Sequence, residues 1–169
     1  MNIAKSCDYI IVCLGELPST ERPGDLNTLE MTALQKDLVR RLENFNVPKI
    51  LVLVQGRPKI IRDIEPKFDA VINPYLPGDQ GGVAIADILF GDINPSGKLP
   101  ITFPNTLEET PAFTNYPGEF GKVKYGEGLY IGYRWYTSKA LMPLYPFGYG
   151  LLFRNRSKIS RFRAVHALV

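Results

Sequence analysis

Three short apolar runs, each closed by a loop bearing glycine or proline, constrain this chain more than any other feature. They are Tyr9-Ile10-Ile11-Val12-Cys13-Leu14, Ile50 to Val54, and Ala70 to Asn73. Between the first two lies a stretch of helical period. Thr32 and Gln35 have the spacing of a capping box. Leu34, Leu38, Leu42 and Phe45 follow as an apolar stripe, and Asn46-Val47-Pro48 ends it, because the residue before a proline is pushed out of the helical region. A short helix is expected around Ile60 to Ile64, and a longer one carries Val83, Ile85, Ala86, Ile88, Leu89 and Phe90. Strand alternating with helix predicts a parallel sheet with right-handed crossovers. The unbroken apolar character of residues 8–14 predicts a strand buried on both faces. The expected class is α/β, a three-layer α/β/α sandwich with a mainly parallel sheet.

After Gly91 the pattern changes. Lys98 to Phe103 reads as a strand that contains Pro100, which suits an edge or a strand start. Residues 104–128 form a long loop, and loops of that length commonly cover or line something. Tyr130 to Tyr136 is aromatic and strand-like, and Pro146 to Leu151 is a glycine/aromatic turn. No internal repeat or low-complexity linker divides the chain. The folded domain is placed at 1–153, and 154–169 is expected to be a basic tail outside the fold.

That tail explains the net charge of +3. It holds Arg154, Arg156, Lys158, Arg161 and Arg163 and no acid, so without it the chain has 15 basic residues against 17 acidic ones, a body near −2. A nucleic-acid partner would rest on the tail alone, and none is expected. Cys7 and Cys13, six apart on one expected strand at about 3.3 Å per residue, are beyond disulfide reach and are expected to be small core residues. The single histidine, His166, lies in the tail, which argues against Ser-His-Asp or Cys-His chemistry. No apolar stretch approaches the length of a membrane span, and the first residues do not read as a signal peptide. Compartment is unassigned, and no metal or cofactor is expected.

The loops that follow the three apolar runs all fall on one edge of a parallel sheet, where open α/β sheets bind ligands. The first is GELPSTERPGD at 15–25, with two carboxylates, Glu16 and Glu21, on an irregular segment. A carboxylic acid donates a proton near neutral pH only if burial or a like charge raises its pKa; the plainer alternative leaves both side chains in water. Arg57, after the second strand, could hold a ligand oxygen or carboxylate, or form an internal salt bridge with Asp25 or Asp79. Gly78-Asp79-Gln80-Gly81-Gly82 matches neither common phosphate-loop pattern, and tight helix–strand packing accounts for it better. Tyr125, Tyr130, Tyr133, Trp135 and Tyr136 could stack on a sugar, although at strand spacing most belong to packing.

Taken in order, GELPSTERPGD, QGRP at 55–58, YLPGDQGGVAIADILFGDINPSGKLPITFP at 75–104, YGEGLYIGYRWY at 125–136 and PLYPFGYGL at 143–151 resemble the C-terminal α/β sandwich domain of glycoside hydrolase family 3. The 75–104 block is the most specific, and the resemblance covers about 8–151. It implies a retaining exo-glycosidase acting on β-linked glucosides or oligosaccharides. The family's nucleophile is an Asp on a separate N-terminal barrel domain, which this chain does not contain. In the branch whose motif reads GE-x-P-x-x-E-x-x-GD, the second Glu is the acid/base, which implies Glu21 here. Glu16 is implied as a supporting carboxylate, and Glu16 and Arg57 are assigned to substrate binding. The family domain has further β/α units before this strand, so the start is expected to be truncated, and the residues after Leu151 depart from the family pattern. Trp135, Phe113, Phe120 and Phe147 are expected on the surface that meets the barrel. The competing functions are a non-catalytic carbohydrate-binding or interaction module of the same fold and, more remotely, a nucleotide-binding domain.

Overall fold

The computed structural model describes residues 4, 6–19, 24–111 and 126–150, and the backbone of 165–168. β1 is Ile10–Gly15, α1 Ala33–Leu42, β2 Lys49–Val54, β3 Ala70–Asn73, α2 Gly81–Phe90, α3 Tyr133–Ser138 and β4 Val165–Leu168. The strands lie in the order β1-β2-β3-β4, and every neighbouring pair is parallel. Ile11 sits beside Ile50, and Leu51 beside Val71.

The side-chain alternation of a strand sorts the core into two layers. Val12, Leu14, Leu51, Leu53 and Val71 face α1 and the segment after β2, packing with Met31, Val39, Ile61, Ile64 and Phe103. Ile50, Val52, Ala70 and Ile72 face the opposite way, onto Ile85, Ile88 and Leu89 of α2. A sheet with helices on both faces is the expected α/β sandwich. Leu51 and Leu53 are wholly buried, a gain of about 1.5–3 kcal/mol for each such side chain.

α1 starts where the spacing predicts. Thr32 accepts from the backbone of Gln35, and the Gln35 side chain accepts from the backbone of Thr32. Its inward face differs from the expected stripe, however. Val39 is the buried residue, while Leu34 and Leu38 lie exposed. The helix also stops at Leu42, before the proline signal.

Other expectations need correction. β1 is not buried on both faces: Val12 and Leu14 are buried, but Ile11 is 49% exposed. Cys7 and Cys13 are exposed and are not core residues. Tyr130 to Tyr136 is not a strand. Gly132 turns the chain with φ 61° and α3 follows, anchored by the buried Tyr136 and by the Trp135 indole N–H, which donates to the Glu109 carbonyl at 3.1 Å. Lys98 to Phe103 contributes only an antiparallel bridge, Phe103 to Tyr145. The helix expected at Ile60 to Ile64 is a turn leading into a 3₁₀ turn at Glu65–Lys67. Within the expected loop 104–128, Leu107–Glu109 forms another 3₁₀ turn. At the far end, Val165–Leu168 runs beside β3. These four residues, from the stretch expected to be a tail, pair by their backbone with the β3 edge; 151–164 lie outside the described residues.

Candidate functional site

The rim of the sheet is built where β1 and β2 end. Gly15, the last residue of β1, has no room for a side chain, because a Cβ there would overlap the Val54 carbonyl. That close approach lets the Glu16 amide donate to the Val54 carbonyl at 3.1 Å. The loop after β1 therefore begins directly over the end of β2.

Glu16 is then bound from several directions. The backbone N–H groups of Gly56 and Arg57 both donate to its Oε1 at 3.2 Å. Arg57 Nε donates to Oε1 and Oε2, each at 3.1 Å, and Arg57 Nη2 lies 2.9 Å from Oε2. Lys59 Nζ adds a second cation, 3.5 Å from Oε2. The Lys59 amide donates to the Arg57 carbonyl at 2.9 Å, and this tight turn accompanies the approach of both side chains to Glu16. Burial opposes the ionised form of Glu16, but the Arg57 hydrogen bonds and the charges of Lys59 and Arg57 outweigh it. Its carboxyl is held below the usual carboxylate range. A proton donor needs the opposite shift; Glu16 is held as an anion.

Arg57 also reaches further along the loop. Nη1 donates to the Gly24 carbonyl, and Nη2 donates to Ser19 Oγ at 3.3 Å. From α1, Gln35 Nε2 donates to the Gly15 carbonyl at 2.6 Å while its Oε1 completes the capping box. The internal salt bridge of Arg57 is thus made with Glu16, not with Asp25 or Asp79. Glu21 lies outside the described residues, and Arg57 contacts residues on either side of it in sequence.

These residues enclose a cleft of about 310 Å³ lined by Glu16, Leu17, Pro18, Ser19, Arg57 and Leu76, among others. A larger groove of about 850 Å³ runs past Leu26, Leu29, Pro58, Ile101 and Tyr136. Its lining is apolar, and its one titratable member, Tyr136, is pushed up to about 12 by burial and by the Glu109 charge. The smaller cleft, by contrast, is lined by the charged pair Glu16 and Arg57. On the third rim loop, a Cβ at Gly81 would collide with the Pro77 ring, which agrees with tight packing at the start of α2. Among the described residues no cluster of His, Cys, Asp and Glu could hold a metal ion, and no helix is long and apolar enough to cross a membrane.

Sequence reasoning singled out Glu16 and Arg57, and the structure brings them together. It did not identify Lys59, Ser19 or Gly24. No local pattern marks Lys59, because a tight turn between Arg57 and Lys59 sets its approach to Glu16. Gln35 was recognised only as a cap. Of the aromatics expected on a partner-facing surface, Phe147 is half exposed and stacks on Tyr133 at 4.9 Å between ring centroids. Trp135 is partly buried, and Phe113 and Phe120 lie outside the described residues.

The family model described as "Glycosyl hydrolase family 3 C-terminal domain" matches residues 1–152. The thermostable beta-glucosidase B of Acetivibrio thermocellus is 40% identical over 149 residues, 88% of this chain and 20% of that protein. The exo-alpha-(1->6)-L-arabinopyranosidase of Bifidobacterium breve is 37% identical over 149 residues, 88% of this chain and 20% of its own length. The crystal structure of the beta-glucosidase from Kluyveromyces marxianus in complex with glucose superposes with a TM-score of 0.83 at 33% identity, covering 91% of this chain and 19% of that one. The chain spans about a fifth of the length of the curated relatives it matches (18% to 20%).

Proposed function

The chain belongs to the family of glycosyl hydrolase family 3 C-terminal domains, and we propose that it serves a retaining, β-glucosidase-like exo-glycosidase as the domain that supplies the acid/base. The observation that carries this proposal is its likeness to β-glucosidases in both sequence and fold over nine-tenths of the chain, 1–152. The substrate class proposed is a β-linked glucoside or oligosaccharide.

Glu21 is the acid/base of the proposal. Glu16 in the same loop is held ionised by Arg57 and Lys59, and the family motif places the acid/base at the second Glu. Glu21 protonates the leaving glycosidic oxygen. An Asp on the barrel domain, which belongs to the longer enzyme, attacks the anomeric carbon and forms a glycosyl-enzyme. Glu21 then takes the proton from the water that frees the sugar. This division of labour requires the two carboxyl groups to lie about 5–5.5 Å apart across the bond. Glu16 and Arg57 bound the sugar-facing cleft, and the surface carrying Phe147, Leu129 and Ile131, each at least half exposed, turns toward the barrel.

The test adds the barrel domain of a family relative to this chain. Hydrolysis of an aryl β-glucoside, lowered on the order of 10²–10⁴-fold by Glu21→Gln, supports the proposal. Glucose binding without hydrolysis at any barrel concentration would favour the non-catalytic carbohydrate-binding module instead.

A further inference from the structure

We infer that Arg57 is a positioning residue, not a sugar-binding one: it is a clasp that closes the loop between β1 and α1 on itself, with Lys59 fixing the anchor it holds. The inference concerns the rim whose role in catalysis rests on the function proposed above.

The donors of Arg57 are committed within the chain. Nε and Nη2 meet Glu16, Nη2 also meets Ser19 Oγ, and Nη1 meets the Gly24 carbonyl. The three partners are spread over nine positions of one loop, and Arg57 comes from a different loop. Its described ends, Glu16 to Ser19 and Gly24, both receive contacts from Arg57, outside the loop. An arginine suits this task, because its planar fork carries five donors in fixed directions. A lysine at the same place would keep the charge but could not bridge a carboxylate, a hydroxyl and a carbonyl together.

Lys59 makes the anchor firm. The Lys59 side chain is 10% exposed and the Glu16 side chain 12%, so their attraction is little screened by solvent. With two cations and two backbone N–H groups on one carboxylate, Glu16 is bound on both oxygens. Gly15 fixes the start of the loop over β2, and Gln35 holds the Gly15 carbonyl. Arg57 ties Glu16 at the start of the loop to Ser19 and Gly24 further along it. Errors of about 1 Å in a catalytic group cost on the order of 10²-fold in rate, so such a clasp acts on turnover more than on binding.

Hydrogen exchange measured by mass spectrometry on the full chain tests this directly, comparing wild type with Arg57→Lys, Arg57→Met and a control, Arg40→Met, on the outer face of α1. Exchange over residues 15–25 is expected to speed up on the order of tenfold in both Arg57 variants, with β2 unchanged and the control like wild type. Should the Arg57 variants fail to fold, Glu16→Gln is expected to give the same local acceleration. In the barrel-complemented enzyme, Arg57→Lys is expected to lower kcat about 10–100-fold with KM changed less than about threefold. Wild-type protection over 15–25 in the variants overturns the clasp, as does a loss confined to KM. If no complemented enzyme hydrolyses any glucoside, the catalytic reading fails, while the exchange data still decide the clasp.

Discussion

The two faces of the sheet are finished to different degrees. On the α1 face, all three of the first strands are covered: Val12 and Leu14 of β1, Leu51 and Leu53 of β2 and Val71 of β3 are buried together. On the α2 face, cover extends over β2 and β3 only, and Ile11 of β1, 49% exposed, lies beside the buried Ile50. Strand composition is nearly the same on both sides. What differs is which helix lies over each strand. Apolar content marks a residue as able to be buried, and burial itself is decided by neighbours remote in sequence.

Substitutions sharpen that contrast. Leu53→Ala, on the complete face and wholly buried, is expected to cost the most, about 2–5 kcal/mol by chemical denaturation. Ile72→Ala on the α2 face, 3% exposed, should fall in the lower half of that range, since a thinner layer collapses more easily around the gap. A cost above that of Leu53→Ala would show that the α2 layer is the better packed. Glu16→Gln at the rim is expected to cost about 1–3 kcal/mol, because it leaves Arg57 and Lys59 without their anion. It should also flatten the acid limb of the stability curve. The folded pKa of Glu16 is lowered, so its contribution is present above its ordinary value of 4.5 and is lost as pH falls through the lowered one. An acid limb that is unchanged in the variant would contradict the clamped geometry. Smallest of all, Ile11→Thr on the bare face is expected within about 0.5 kcal/mol of wild type. A large loss there would mean that the α2 face is covered in solution.

The fold was legible in the sequence where one signal determined one outcome. The three strand runs and the Thr32/Gln35 cap appear where spacing and composition put them. The failures share a physical cause. Aromatic content suggested a strand at Tyr130 to Tyr136, but strand preference is weak and context-dependent. A positive φ at Gly132 and the bond from Trp135 to Glu109 made a helix there instead. Leu34 and Leu38 satisfied a helical period yet lie outside, because the period gives the stripe and not the direction it faces. At the rim, the residue types at positions 16 and 57 marked chemistry. Their pairing spans 41 positions and could not be read from local pattern. Glu21 came from a family motif, and it is what the decisive experiment must address.

That experiment measures kcat/KM for the barrel-complemented chain and its Glu21→Gln variant on two aryl β-glucosides, one with a good leaving group and one with a poor one. A general acid matters most where the leaving oxygen most needs its proton. The expected result is a loss on the order of 10²–10⁴-fold on the poor leaving group and a far smaller loss on the good one. A loss below about threefold on both substrates would contradict Glu21 as the acid/base and with it the role assigned to this domain.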